Sequence, residues 1–72
     1  MKLTYDREAD ALYIRLRERP GEVEVTQLSQ DVACDKDAEG RVVGIEILNA
    51  SSLFQRPESP SVELEYAAPR KA

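Results

Sequence analysis

Four carboxylates in the middle of the chain have the spacing of a calcium-binding loop. Asp35-Lys36-Asp37-Ala38-Glu39-Gly40, followed by Glu46, fits D-x-[DN]-x-[DN]-G-x5-E apart from glutamate at the fifth place. In that pattern alternate side chains of a tight loop supply oxygen ligands, the glycine permits a sharp turn, and the last glutamate closes the shell. Val42 even occupies the apolar eighth place. A calcium hand, however, needs a helix on each side of the loop. Here Val32-Ala33-Cys34 and Val43-Gly44-Ile45-Glu46-Ile47 have strand character, and an extended strand carries Glu46 away from the loop. Asp35, Asp37, Glu39 and Glu46 stand as metal-ligand candidates, but the favoured reading is an acidic hairpin turn with Gly40 in the left-handed position.

Three further positions invite chemistry. Asp6, Glu8 and Asp10 share one short segment, and clustered carboxylates can hold a divalent cation or do acid–base work. With no histidine in the chain and no glycine-rich phosphate cradle, a solvated turn whose aspartates cap backbone groups is the better reading. Arg15, Arg17 and Arg19 alternate with apolar and acidic residues behind Tyr13, a basic-plus-aromatic pattern like those that bind single-stranded nucleic acid. Glu22 and Glu24 are expected to lie opposite Arg19 and Arg17 across a hairpin and to cancel that field. Cys34 has no histidine to activate it and is read as a small apolar core residue. No catalytic residue, cofactor site or established metal site is assigned.

The elements that would position these groups follow from alternation. Leu3 and Tyr5, then Leu12, Ile14 and Leu16, then Val23 and Val25, then Val32 and Cys34, then Val43, Ile45 and Ile47 each recur at every second residue. Five short half-buried strands are expected. Pairing apolar with apolar predicts Tyr5 opposite Leu12 and Leu3 opposite Ile14, with Asp6 to Ala11 as an acidic loop. It predicts Leu16 opposite Val25 around an Arg19-Pro20-Gly21-Glu22 turn. A loop of residues 37–40 predicts Cys34 opposite Val43 and Val32 opposite Ile45. Asn49 or Ser51 is expected to cap one helical turn that folds Leu53 and Phe54 onto the sheet. The fold class expected is mainly β, an antiparallel meander of four to five strands with a short C-terminal helical turn.

Residues 1–54 form one small domain in this reading. Residues 55–61 are a linker rich in proline and serine, Val62-Glu63-Leu64-Glu65-Tyr66 has the alternation of an extra strand, and Pro69-Arg70-Lys71-Ala72 is a frayed end.

Composition removes other classes. The 72 residues contain one cysteine and no histidine, so neither an internal disulfide framework nor a zinc finger can be built. No apolar run approaches the roughly 20 residues that span a bilayer, and the first residues lead directly into an alternating segment without a signal-peptide core. A cytoplasmic protein without membrane contact is expected. The net charge of −4 is concentrated in residues 22–54, which hold seven acidic and two basic side chains. Such a balance repels phosphate backbones, and no nucleic-acid partner is expected.

The segments Tyr5-Asp6-Arg7-Glu8-Ala9-Asp10-Ala11-Leu12-Tyr13-Ile14, Asp31 to Asp35, and Gly40-Arg41-Val42-Val43-Gly44-Ile45-Glu46-Ile47-Leu48-Asn49-Ala50-Ser51 resemble the bacterial and archaeal domain-of-unknown-function family numbered 2283, over about residues 2–54. The resemblance implies a small β-rich protein and assigns no activity, cofactor or catalytic residue. It also implies, for some members, genes beside small toxin-like proteins.

A chain of this length rarely buries enough apolar surface alone and usually recruits disulfides, metals or a second subunit. A single-layer sheet cannot leave its apolar face in water. The expected function is therefore a homodimeric protein-interaction domain. An antitoxin-like module whose acidic middle segment binds a small basic protein is the alternative, and a carboxylate-based metal-dependent enzyme at Asp6, Glu8 and Asp10 is a more remote one.

Overall fold

Alternation does set five strands: β1 Lys2–Asp6, β2 Ala11–Arg15, β3 Glu24–Gln27, β4 Val32–Lys36 and β5 Val42–Leu48. The computed structural model describes residues 1–69; of the expected frayed end at 69–72, residues 70–72 lie outside the described residues. The strands make one antiparallel sheet in the order β1-β2-β5-β4-β3, followed by a 3₁₀ turn over Ala50–Leu53.

This order corrects the expected meander. β1–β2 and β3–β4–β5 are hairpin-connected, but β5 lies against β2, and the 16–23 connection carries the chain to the far edge. Three hairpin-linked strands with a long connection to a fourth beside them is a Greek-key arrangement. The reason is burial. β5 brings Ile45 and Ile47 opposite Ile14 and Leu12, a better apolar match than β3, whose four residues Glu24-Val25-Thr26-Gln27 are largely exposed. The predicted pairs Leu16–Val25, Arg17–Glu24 and Arg19–Glu22 therefore do not form. Val25 sits opposite Asp35 on the polar side, 64% exposed.

The β1–β2 register is as predicted, with Tyr5 opposite Leu12 and Leu3 opposite Ile14. The β4–β5 register is shifted by two. Cys34 faces Ile45 and Val32 faces Ile47, because an irregularity at Asp35/Lys36 places Lys36 opposite Val42 but Asp35 opposite Gly44. Val43 is the extra residue, and its carbonyl accepts the N–H groups of Leu16 (2.9 Å) and Arg17 (3.3 Å) where β2 ends. A shift of two keeps Val32 to Asp35 and Gly44 to Ile47 on their expected faces.

Two cross-strand rows make the apolar face: Thr26–Cys34–Ile45–Ile14–Leu3 and Val32–Ile47–Leu12–Tyr5. The opposite face carries Gln27–Ala33–Glu46–Tyr13–Thr4 and Val25–Asp35–Gly44–Arg15–Lys2. Burial is thin. Cys34 at 3%, Val43 at 1% and Ala50 at 0% exposure are the buried apolar residues, whereas Leu12, Ile14, Val32, Ile45 and Ile47 are only half-buried.

Candidate functional site

Each expected site is built around a different piece of local structure. In the Asp6–Asp10 turn, Asp6 Oδ1 accepts the backbone N–H groups of Glu8 (3.0 Å) and Ala9 (3.2 Å), which closes the turn. Asp10 faces elsewhere. It adopts a left-handed backbone (φ 51°), and its carboxylate accepts the Tyr5 hydroxyl at 2.6 Å, the Ser51 N–H at 2.9 Å and the Ser51 hydroxyl at 2.6 Å. Its carbonyl also accepts the Ala50 N–H at 3.0 Å. Asp10 thus joins the β1–β2 turn to the start of the 3₁₀ turn 40 residues later, a role that sequence reasoning gave to Asn49 or Ser51. Asn49 makes no side-chain cap and is itself left-handed (φ 54°). The hydroxyl donors of Ser51 and Tyr5 hold the Asp10 carboxyl below the ordinary aspartate range, and the same bond raises the Tyr5 hydroxyl.

The calcium-loop candidates are dispersed. Asp37 is the keystone of the β4–β5 turn: Oδ1 accepts the N–H groups of Glu39 (3.0 Å) and Arg41 (2.9 Å), and Oδ2 pairs with Arg41 Nε at 2.8 Å. The Arg41 N–H is the main cause that keeps its carboxyl low. Glu39 lies 3.4 Å from the Arg41 guanidinium. Gly40 takes φ 82°, as the hairpin reading requires. Asp35 and Glu46 are instead on the polar sheet face, opposite Gly44 and Tyr13 respectively. Among the described residues no three carboxylate or thiol groups gather into a metal-sized cluster. Cys34 is buried and free, on the apolar face.

On the polar face Tyr13 lies across Gly44 and donates its hydroxyl to Asp35 Oδ2 at 2.8 Å, spanning β2, β5 and β4. A β-carbon at Gly44 would collide with the Tyr13 hydroxyl and stand 2.6 Å from Cζ. That bond raises the Tyr13 hydroxyl above its usual range. The sequence analysis did not find this bridge, although an isolated glycine within an apolar strand signals close approach. Past Tyr13, Arg15, Arg17 and Arg19 line one cleft of about 350 Å³ between the polar face and the 16–23 connection.

The helical turn covers the apolar face only at one end. Phe54 meets the Tyr5 ring edge-on at 5.1 Å between centroids, and Pro60 and Val62 follow over Leu3, Tyr5 and Leu12. Leu53, expected on the sheet, is 64% exposed.

The description "Protein of unknown function (DUF2283)" matches residues 2–51, the whole sheet and the start of the 3₁₀ turn. The chain belongs to the DUF2283 family. No curated protein and no solved structure matches it. The match ends at Ser51, so the DUF2283 segment includes both partners of the Asp10–Ser51 bond and both partners of the Tyr13–Asp35 bond. In this DUF2283 chain Asp6, Asp10, Asp35 and Asp37 hold turns and strands together, and the larger unspent surface is the half-covered apolar face.

Proposed function

We propose that this DUF2283 chain acts as a homodimeric protein-interaction domain whose two copies meet through the apolar sheet face. The observation that carries the reading is surface. The chain exposes 6417 Å², whereas a compact 8.1 kDa monomer exposes about 4,500 Å² by the usual size scaling, an excess of about 1,900 Å². Part of that excess is the extended 61–69 segment. The remainder includes Leu12, Ile14, Val32, Ile45 and Ile47, central-strand residues that a two-layer domain would bury. A standard interface removes about 800 Å² per partner, and the two apolar rows are the half-buried surface on which it would form. An isologous pairing through this face buries the same rows from both copies.

Isotope-filtered NOE spectra on a mixture of labelled and unlabelled chain test this face. Contacts between copies from the Ile14 and Ile45 methyls are expected. Intermolecular contacts confined to the polar face, or none at concentrations where the chain is folded, would refute it.

The antitoxin-like alternative draws on one observation: Glu22, Glu24 and Asp37 line a common hollow of about 320 Å³ at one end of the sheet. It requires capture of a small basic protein that is lost on neutralising Glu22 and Glu24.

A further inference from the structure

The strand order that overturns the expected β2–β3 hairpin also removes the acids meant to neutralise Arg17 and Arg19. Among the described residues none of Arg15, Arg17 and Arg19 forms an ion pair. The 16–23 connection sorts charge by side: Arg15, Arg17 and Arg19 face the cleft beside Tyr13 and Asp35, while Glu22 and Glu24 face the separate hollow beside Lys36 and Asp37. Val23 borders both. Beyond Arg17 the connection turns through two left-handed residues, Arg19 (φ 49°) and Gly21 (φ 74°), with Pro20 between them, whose ring fixes its φ. Among the described residues Asp35 is the one acid lining the cleft, its Oδ2 is engaged by the Tyr13 hydroxyl, and Glu46 stands opposite Tyr13 on the same face. Three guanidinia against one carboxylate leave a net positive hollow on a chain of net charge −4.

We propose that this cleft binds a compact phosphorylated small molecule, its phosphoryl oxygens taken by the guanidinium forks of Arg15, Arg17 and Arg19. Planar guanidinia match phosphoryl oxygens two at a time, which suits a doubly charged terminal phosphate better than a single carboxylate. The volume of about 350 Å³ holds a phosphate with a small body. A long polyanion is disfavoured because continuing past the connection brings it to Glu22, Glu24 and Asp37. The cleft opens on the face opposite Ile14 and Ile45, so it does not depend on the homodimer reading.

The test is an amide-shift titration of the full chain with inorganic pyrophosphate, inorganic phosphate and a short thymidine oligonucleotide at physiological ionic strength. Saturable shifts confined to residues 13–23 and Asp35 are expected with pyrophosphate. The R17A/R19A variant should weaken binding by about tenfold or more, and R17K/R19K, which keeps the charge but loses the fork, should also weaken it. R56A, outside the cleft, should leave binding unchanged. Since Arg17 and Arg19 are exposed, both variants should retain the wild-type amide spectrum elsewhere. Shifts that do not saturate, equal weakening by R56A, full binding retained by R17A/R19A, or tighter binding of the oligonucleotide than of pyrophosphate would each overturn the proposal.

Discussion

At the scale of single residues, the aspartates that look chemically active serve as fasteners. Asp10 gathers three donors, one from β1 and two from Ser51. Its folded-state carboxyl lies below its unfolded value, so the stability it contributes is complete above about pH 4, the ordinary aspartate range, and is lost as pH falls through the lowered value. Asp37 adds to the same acid limb. Tyr5 and Tyr13 behave in the opposite sense: their raised hydroxyls keep donating until pH climbs past about 10, and their contribution is lost above that. Thermal unfolding midpoints recorded against pH should show a plateau between these limbs. Asp10→Asn should lower the plateau and shrink the acid limb to the share of Asp37; an unchanged acid limb would mean that Asp10 is not the titrating fastener. Gly44 gives a second residue-scale prediction. Gly44→Ala should destabilise by about 1–3 kcal/mol, because the added methyl must displace Tyr13 from Asp35. In a Tyr13→Ala background the same change should cost far less, a non-additivity that denaturant unfolding of the four chains measures directly.

At the scale of elements, alternation made all five strands legible, and pairing apolar with apolar gave the β1–β2 register correctly. The same rule misplaced β3, since Val23 and Val25 looked like core residues and a Pro-Gly turn stood between them and Leu16. Local turn chemistry cannot report that β5 is the better neighbour for β2, because that preference comes from Ile45 and Ile47, some 30 residues away. The β4–β5 turn was legible in Gly40, but the bulge at Val43 was not: its cause is a non-local bond, the Val43 carbonyl closing the end of β2. The Asp10–Ser51 fastener was hidden for a similar reason, as each residue reads as an ordinary capping type on its own. The turn itself can be checked. Gly40→Ala places a side chain at φ 82° in open space, so its cost is backbone strain alone, about 1 kcal/mol in chemical denaturation. Gly40→Asn, a residue that tolerates the left-handed region, should recover most of it.

At the scale of the whole molecule, one sheet carries almost all the structure. The radius of gyration is 14.5 Å, against about 11 Å for a compact domain of this length. The surplus reflects a flat layer with a segment trailing from it, where Leu64 is 88% and Tyr66 94% exposed and no strand forms over 62–66. Among the described residues no helix is long and apolar enough to cross a membrane. The apolar face and the arginine cleft lie on opposite sides of this layer, so a second copy can cover one without closing the other. Sedimentation equilibrium across a dilution series is the most direct measurement of whether the sheet is half of a core. The account predicts a mass near twice 8.1 kDa that falls only as the chain loses its structure. A cooperative, fully folded species at 8.1 kDa would contradict it.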